Sequence, residues 1–290
     1  MSDLTYPTSE AVVESLIDSL GLPGASVERL LAIPVILNTL IRRSFMDGYA
    51  LAGPAALHGV YFTGQYVQRV PDELTFAPIK WSGKSLSPED LLTAASAALP
   101  DGRVTFLDAL GRATIYYRGI LSPVEIPMRI ETELNFEPDV VVRTKATDSG
   151  IGFLRDDALP YRGPVGEPVT VAVALAEELI ARTLLALLDR RRTDAAARTD
   201  DLRIIFAMHP ASARAAFAGP IRAAFMAQLS QTPHPEAGLT KLTDKMRSMI
   251  SNCASDGALD ASLRSMGAVT DWSVFEDAFI DALDALKSGR

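Results

Sequence analysis

Tyr49-Ala-Leu-Ala-Gly-Pro-Ala-Ala-Leu-His58, followed at a short distance by Arg69-Val-Pro-Asp-Glu-Leu-Thr-Phe76, decides the fold of this chain. The first segment predicts a short apolar strand, a tight Gly-Pro turn, and a helix that opens with proline in its first turn, where a missing N–H is tolerated. The second segment predicts another strand. Because side chains alternate along a strand, Glu73 and Thr75 are expected on one face, and Leu74 and Phe76 on the other. A small-residue turn at a helix N-terminus beside two polar strand residues is typical of phosphate and metal sites.

The composition is that of a chain with a real core. Its 290 residues are 48% hydrophobic and 22% charged, which excludes a disordered chain. The net charge of −8 argues against wholesale nonspecific nucleic-acid binding, although it leaves room for a local basic patch. Cys253 is the single cysteine, so an internal disulfide and a cysteine-built zinc site are excluded. We expect a cytoplasmic protein, since no signal peptide is visible at the N-terminus.

Hydrophobic periodicity predicts an α+β protein. Two N-terminal helices, the second ending near Arg42 and Arg43, precede the central strands. Strand-like stretches follow at 103–107, 112–120 and 126–134, and residues 140–144 are a weaker candidate. Glycine and proline crowd residues 148–168, which favours a boundary there between an α/β domain at 1–165 and a helical domain at 166–290. The run from Val171 to Arg192 predicts a strong buried helix and not a membrane span, because charged residues interrupt it.

Four segments, taken in order, resemble the AbiEii-like nucleotidyltransferases, the toxins of type IV toxin–antitoxin systems. Gly53-Pro-Ala-Ala-Leu57 stands where the family has Gly-Gly-Thr-Ala-Leu, and Arg69 to Phe76 stands where it has Arg-x-Ser-x-Asp-(apolar)-Asp. Ala181 to Arg190 matches the long helix of the family, and Arg198-Thr-Asp-Asp-Leu202 is close to its Arg-Asp-x-x-Asp-Leu segment, one residue short. The resemblance implies a nucleotidyltransferase-like core with a mixed sheet, followed by a C-terminal helical domain.

The resemblance also implies a site. Glu73 and Thr75 occupy the two metal-binding aspartate positions, and Glu131, in Met128-Arg-Ile-Glu131, is placed for the third carboxylate, so catalysis would fall to these three and Mg²⁺ would be held by Glu73 and Glu131. The nucleotide would be bound by residues at the turn, the second strand and the long helix: Gly53, Ala55, Arg69 and Thr183. Thr183 stands where the family has a lysine that faces the active site.

These substitutions leave two functions open. An active protein would transfer a nucleotide from a nucleoside triphosphate onto RNA, plausibly a tRNA, in a bacterial cytoplasm, and would have a cognate antitoxin. Alternatively, the protein is a pseudoenzyme that keeps the fold and acts as a binding or regulatory partner, because Thr75 offers no charge to a metal and Ala55 no hydrogen bond to phosphate. A third class, an unrelated interaction protein, would be favoured if the two central strands were not neighbours. No membrane partner is expected.

Overall fold

The computed structural model describes residues 5–57, 73–78, 87–105, 112–132, 144–147, 171–186, 217–230, 272–289, 240 and 244. The chain divides into two compact units, Met1–Leu175 and Ala176–Arg290. The domain boundary expected after residue 165 falls outside the described residues.

Two helices open the first unit. Helix α1 spans Glu10–Leu20 and ends at Gly21, whose left-handed conformation (φ 63°) lets its N–H bond back to the Ile17 carbonyl. Helix α2 spans Gly24–Arg42 and carries Pro34 in its interior. Among the described residues, α2 is the one helix long and apolar enough to cross a membrane, but 67% of its apolar window is buried within the protein. This is the pattern of a core helix.

Seven strands of the described residues form one mixed sheet. After a 3₁₀ turn at Phe45–Asp47 come β1 (Tyr49–Ala52) and the short helix α3 (Gly53–Ala56). They are followed by β2 (Glu73–Pro78), helix α4 (Pro88–Ser96), β3 (Arg103–Val104), β4 (Arg112–Arg118), β5 (Glu125–Thr132), β6 (Thr144–Thr147) and β7 (Val171–Ala174). The order across the sheet is β3-β4-β5-β2-β1-β7-β6. The β2–β5 and β1–β7 pairs are parallel, and the remaining pairs are antiparallel.

The sheet has an apolar face and a polar face. On β4, buried side chains alternate with partly exposed ones, so that Ala113, Ile115 and Tyr117 point to the apolar side. Helices α2 and α4 pack on each other and on this part of the sheet. Helix α4 begins as its sequence predicts, because the Ser87 hydroxyl accepts the Asp90 backbone N–H at 3.3 Å. The opposite face carries the polar residues of β2, β4 and β5.

One sequence expectation is wrong in this unit. The helix expected over residues 171–192 begins only at Ala176, and Val171–Ala174 is strand β7 instead. The strand lies between β1 and β6, and Val173 and Ala174 are fully buried. A short apolar run that is buried on both faces of a sheet shows no alternation, so it cannot be distinguished by period from the start of a buried helix.

The described segments of the second unit are helical, as the α+β class predicts. They include α5 (Ala176–Ala186), α6 (Pro220–Leu229) and α7 (Trp272–Ser288). Helices α5 and α6 pack together, and their contact buries a polar pair in which the Gln228 amide donates to the Glu178 carboxylate at 2.7 Å. The Arg222 guanidinium on α6 donates to the Leu286 carbonyl on α7 at 2.9 Å.

Candidate functional site

The two central strands are neighbours, as their sequences predict. β1 and β2 pair antiparallel, with Ala52 opposite Thr75. The third class of function, an interaction protein without this strand pairing, therefore loses its support. The turn that follows β1 is pressed against β2: a Cβ on Gly53 would overlap the Thr75 hydroxyl and lie 2.9 Å from the Thr75 Cβ. Gly53 also has φ 63°, a conformation that side chains disfavour. Glycine is thus required at this turn.

Glu73 and Thr75 share a face of β2, as alternation predicts, and they contact each other. The Thr75 hydroxyl donates a hydrogen bond of 2.9 Å to Oε1 of Glu73. Both residues are buried, at 4% and 5% exposure. A buried carboxylate needs such a partner, since desolvation without compensation is costly. The Thr75 hydroxyl thereby fixes the orientation of the Glu73 carboxylate.

Arg129 lies on the other side of Glu73. The parallel register of β2 and β5 places Arg129 beside Glu73, and its Nη2 lies 3.9 Å from Oε2 of Glu73. The arginine side chain is 43% exposed and the glutamate side chain 5%. Sequence reasoning missed Arg129. The available signal was its position two residues before Glu131, which puts both residues on the polar face of β5 by alternation.

The remaining predicted site residues are only partly brought together. The backbone of Glu131 pairs with Thr75, but its side chain lies outside the described residues, as does the whole of Arg69. Ala55 is fully buried in α3 and offers no polar side-chain atom. Thr183 belongs to the second unit, where it is 2% exposed and its hydroxyl donates to the Leu179 carbonyl one turn earlier in α5, at 2.8 Å. Its assignment to nucleotide binding stays a prediction.

The described side chains supply one carboxylate, that of Glu73, at the predicted magnesium site. Mg²⁺ demands near-octahedral oxygen ligation, usually with one or two carboxylates open to it. Here one oxygen of Glu73 accepts from Thr75, and a guanidinium lies near the other. Within the part of the chain that the structure describes, three or more His, Cys, Asp or Glu side chains nowhere gather as a metal group. The Glu73 carboxylate thus has one hydrogen-bond donor and one nearby cation within the protein, and the Glu131 side chain, predicted as the second ligand, lies outside the described residues.

Comparison with known proteins identifies the fold. No protein-family model matches the chain, and no curated protein matches it. Its structure is similar to that of MenT4, a nucleotidyltransferase toxin from Mycobacterium tuberculosis H37Rv, with a TM-score of 0.56 and 14% identity over 97% of this chain and 90% of that one. This chain has the nucleotidyltransferase fold.

A second similar structure comes from H. pylori and was described as a candidate nucleotidyltransferase. Its TM-score is 0.48, at 16% identity over 91% of this chain and 94% of the other, which is too distant to add to the assignment. The nucleotidyltransferase fold expected from the AbiEii-like resemblance is confirmed by the MenT4 likeness, and the α+β class with it. At this identity the likeness shows the fold alone.

Proposed function

We propose that this protein is a nucleotidyltransferase-fold pseudoenzyme, a bacterial cytoplasmic protein that acts as a binding or regulatory partner of another protein. The observation that carries the proposal is the contact set of Glu73. Its carboxylate accepts from Thr75 and faces Arg129, at the position where the resembled family holds a metal with two aspartates.

Electrostatics favour this interpretation. A Mg²⁺ ion bound to Glu73 would lie roughly 5 Å from the Arg129 guanidinium, and the Coulomb repulsion between charges of +2 and +1 is then about 7 kcal/mol at an effective dielectric constant of about 20. Solvent reduces this figure, because the Arg129 side chain is 43% exposed. The Arg129 charge therefore lowers the affinity that the Glu73 carboxylate could give to Mg²⁺, and the Thr75 hydroxyl adds no negative charge to offset it. Within the protein, the Arg129 guanidinium already offers a counter-charge to the Glu73 carboxylate at 3.9 Å.

The residues predicted to bind the nucleotide phosphates also differ from those of the resembled family. Pro54 lies in the first turn of α3 and has no N–H to donate. The Ala55 methyl group is buried, and the Thr183 hydroxyl already donates within its own helix. Nucleotidyl transfer depends on positioning the phosphates and stabilising their charge. The described residues at the equivalent positions do not supply those groups.

The second candidate is an active enzyme that transfers a nucleotide from a nucleoside triphosphate onto RNA. Its protein partner would then be a cognate antitoxin. One observation favours it. The β2–β5 register sets the backbone of Glu131 directly beside Thr75, so a second acidic residue occupies the neighbouring position in the sheet. In that case Mg²⁺ would be the cofactor.

An RNA-labelling assay separates the two candidates. The purified protein is incubated with each α-labelled nucleoside triphosphate, total tRNA and MgCl₂, and compared with Glu73→Ala. We expect no incorporation above background from either protein. Magnesium-dependent labelling by the unaltered chain that disappears in Glu73→Ala would overturn the pseudoenzyme proposal and establish the second candidate.

A variant that restores the two aspartates of the resembled family tests whether Glu73 and Thr75 lie at a former metal site. The double variant Glu73→Asp/Thr75→Asp recreates the two aspartates of the resembled family at one face of β2. We expect it to bind Mg²⁺ more tightly than the unaltered chain in calorimetry, because a second carboxylate replaces a neutral hydroxyl. The isosteric variant Thr75→Val, which removes the hydroxyl and adds no charge, is the control. Equal Mg²⁺ affinity in all three proteins would show that Glu73 and Thr75 do not lie at a former metal site.

A further inference from the structure

Three buried polar atoms of the first unit have no hydrogen-bond partner among the described residues. They are Oε2 of Glu28, the hydroxyl of Tyr117 and Nε of Arg29. Glu28 and Tyr117 are fully buried. Buried polar groups are almost always hydrogen-bonded, because a group that leaves water without gaining a partner destabilises the fold. The three atoms therefore indicate a bound group that the described side chains do not supply.

The three atoms belong to one cluster. Tyr6 touches two of its members: its hydroxyl donates to the Glu28 backbone carbonyl at 3.4 Å, and its ring lies edge-on to the Tyr117 ring, with the ring centroids 5.8 Å apart. Burial raises the pKa of Tyr117, the Glu28 carboxylate raises it further, and the Arg29 guanidinium lowers it. Both charged side chains therefore lie close enough to the Tyr117 hydroxyl to act on its proton.

The donors around the Glu28 carboxylate are already used. The backbone N–H groups of Ile120 and Leu121 both donate to Oε1, at 2.5 Å and 2.7 Å. Oε2 lies against Gly119, where a Cβ would overlap it. The Tyr6 hydroxyl donates to the Glu28 backbone carbonyl and not to the carboxylate. Oε2 of Glu28 therefore still requires a donor.

The chemistry of the three atoms selects the bound group. A carboxylate oxygen only accepts hydrogen bonds and the Nε–H of an arginine only donates, whereas a hydroxyl does both. The Glu28 charge repels an anion from this site, and the Arg29 charge repels a cation. A neutral group that both donates and accepts satisfies all three atoms. Water is the smallest such group, and buried waters typically make about three hydrogen bonds to otherwise unsatisfied polar atoms.

We propose that one ordered water molecule binds between Oε2 of Glu28, the Tyr117 hydroxyl and Nε of Arg29. It donates to Oε2, accepts from the Nε–H, and uses its remaining proton or lone pair for the Tyr117 hydroxyl. Because Oε1 of Glu28 holds the turn after β4, a water on Oε2 fixes the second oxygen of the same carboxylate and joins α2 to β4. The site is independent of the proposed function, since it contains none of the residues near Glu73.

Tyr117→Phe tests the water through the sign of its effect on stability, because the variant removes the hydroxyl and keeps the buried ring. A hydroxyl bound to water loses a hydrogen bond in this variant, and we expect the urea midpoint to fall by about 0.5 M. A buried hydroxyl without a partner gives the opposite result, since its removal relieves an uncompensated desolvation. The urea midpoint would then stay equal or rise.

Tyr116→Phe is the matched control, because it removes the same atom from a half-buried tyrosine on the other side of β4. We expect its urea midpoint to stay within about 0.2 M of that of the unaltered chain. Far-UV circular dichroism establishes that both variants are folded.

A crystal structure of the full chain locates the water directly and distinguishes it from a direct bond between Tyr117 and another side chain. We expect an ordered water at hydrogen-bonding distance from Oε2 of Glu28, the Tyr117 hydroxyl and Nε of Arg29. The proposal is overturned if Tyr117→Phe has a urea midpoint equal to or above that of the unaltered chain, or if Tyr116→Phe lowers the midpoint as much. It is also overturned if the crystal structure shows no water bridging Glu28 and the Tyr117 hydroxyl.

Discussion

Replacing Glu28 should destabilise the first unit, because Glu28 forms the contact between α2 and the turn after β4. Glu28 is fully buried, and its Oε1 accepts the backbone N–H groups of Ile120 at 2.5 Å and Leu121 at 2.7 Å. The approach is close enough that a Cβ on Gly119 would lie 2.6 Å from Cδ of Glu28. One carboxylate therefore holds a turn that lies more than ninety residues away in sequence.

The magnitude follows from the two hydrogen bonds. A bond to a charged group contributes about 1.5–3 kcal/mol, and a neutral one about 0.5–1.5 kcal/mol. Glu28→Ala removes both charged bonds, so we expect it to lower the free energy of unfolding by about 3–6 kcal/mol. Glu28→Gln keeps an acceptor oxygen without its charge, and the expected loss is about 2 kcal/mol. The two hydrogen bonds therefore predict a larger loss of unfolding free energy in Glu28→Ala than in Glu28→Gln.

Urea denaturation followed by far-UV circular dichroism measures the loss, and hydrogen–deuterium exchange locates it. We expect faster exchange at Ile120 and Leu121 in Glu28→Ala and an intermediate rate in Glu28→Gln. Glu14→Ala is the control, because Glu14 is an exposed glutamate on α1. The reasoning is refuted if Glu28→Ala unfolds within 0.5 kcal/mol of the unaltered chain, on the order of an ordinary surface substitution, with unchanged exchange at the two amides.

Three further predictions concern the site and the second unit. Gly53→Ala should destabilise the chain by about 2 kcal/mol or more, from positive-φ strain of about 1–2 kcal/mol and overlap with Thr75; a urea midpoint equal to that of the unaltered chain would contradict this. Thr75→Val should cost about 1.5–3 kcal/mol, since it removes the hydrogen bond to Glu73, and a thermal melt checks it. Burial raises the pKa of Glu178 above its ordinary value, more than the Gln228 hydrogen bond lowers it. The folded state therefore holds this proton to higher pH than the unfolded state does, and stability falls as pH rises from the unfolded pKa through the folded one. Glu178→Gln should remove that fall and leave the protein at least as stable at pH 7, because the added amide can donate to the unpaired Oε1 of Gln228; urea titrations at several pH values test it.

Local pattern was enough to predict the centre of the fold. The strand at Tyr49–Ala52 follows from its apolar run and the turn residues after it, and the strand at Glu73–Phe76 follows from its alternation. The same alternation gives the shared face of Glu73 and Thr75. The strand-like stretches predicted at 112–120 and 126–134 are strands β4 and β5, and they pair antiparallel. Each of these features depends on residues close together in sequence, where the pattern carries the information.

Contacts between distant segments were not predictable in the same way. The role of Glu28 depends on the turn after β4, and an internal glutamate in an apolar helix gives no sign of a distant backbone partner. Arg129 was missed because a strand arginine is ordinarily solvated, and its partner Glu73 is supplied by the β2–β5 register.

The pseudoenzyme proposal is tested most directly by calorimetric titration of the full chain with each nucleoside triphosphate, with and without magnesium. We expect no heat of binding that requires magnesium, either in the unaltered chain or in Glu73→Ala. Binding that requires magnesium and is lost in Glu73→Ala would contradict the proposal, because it would show that Glu73 still serves a metal–nucleotide site.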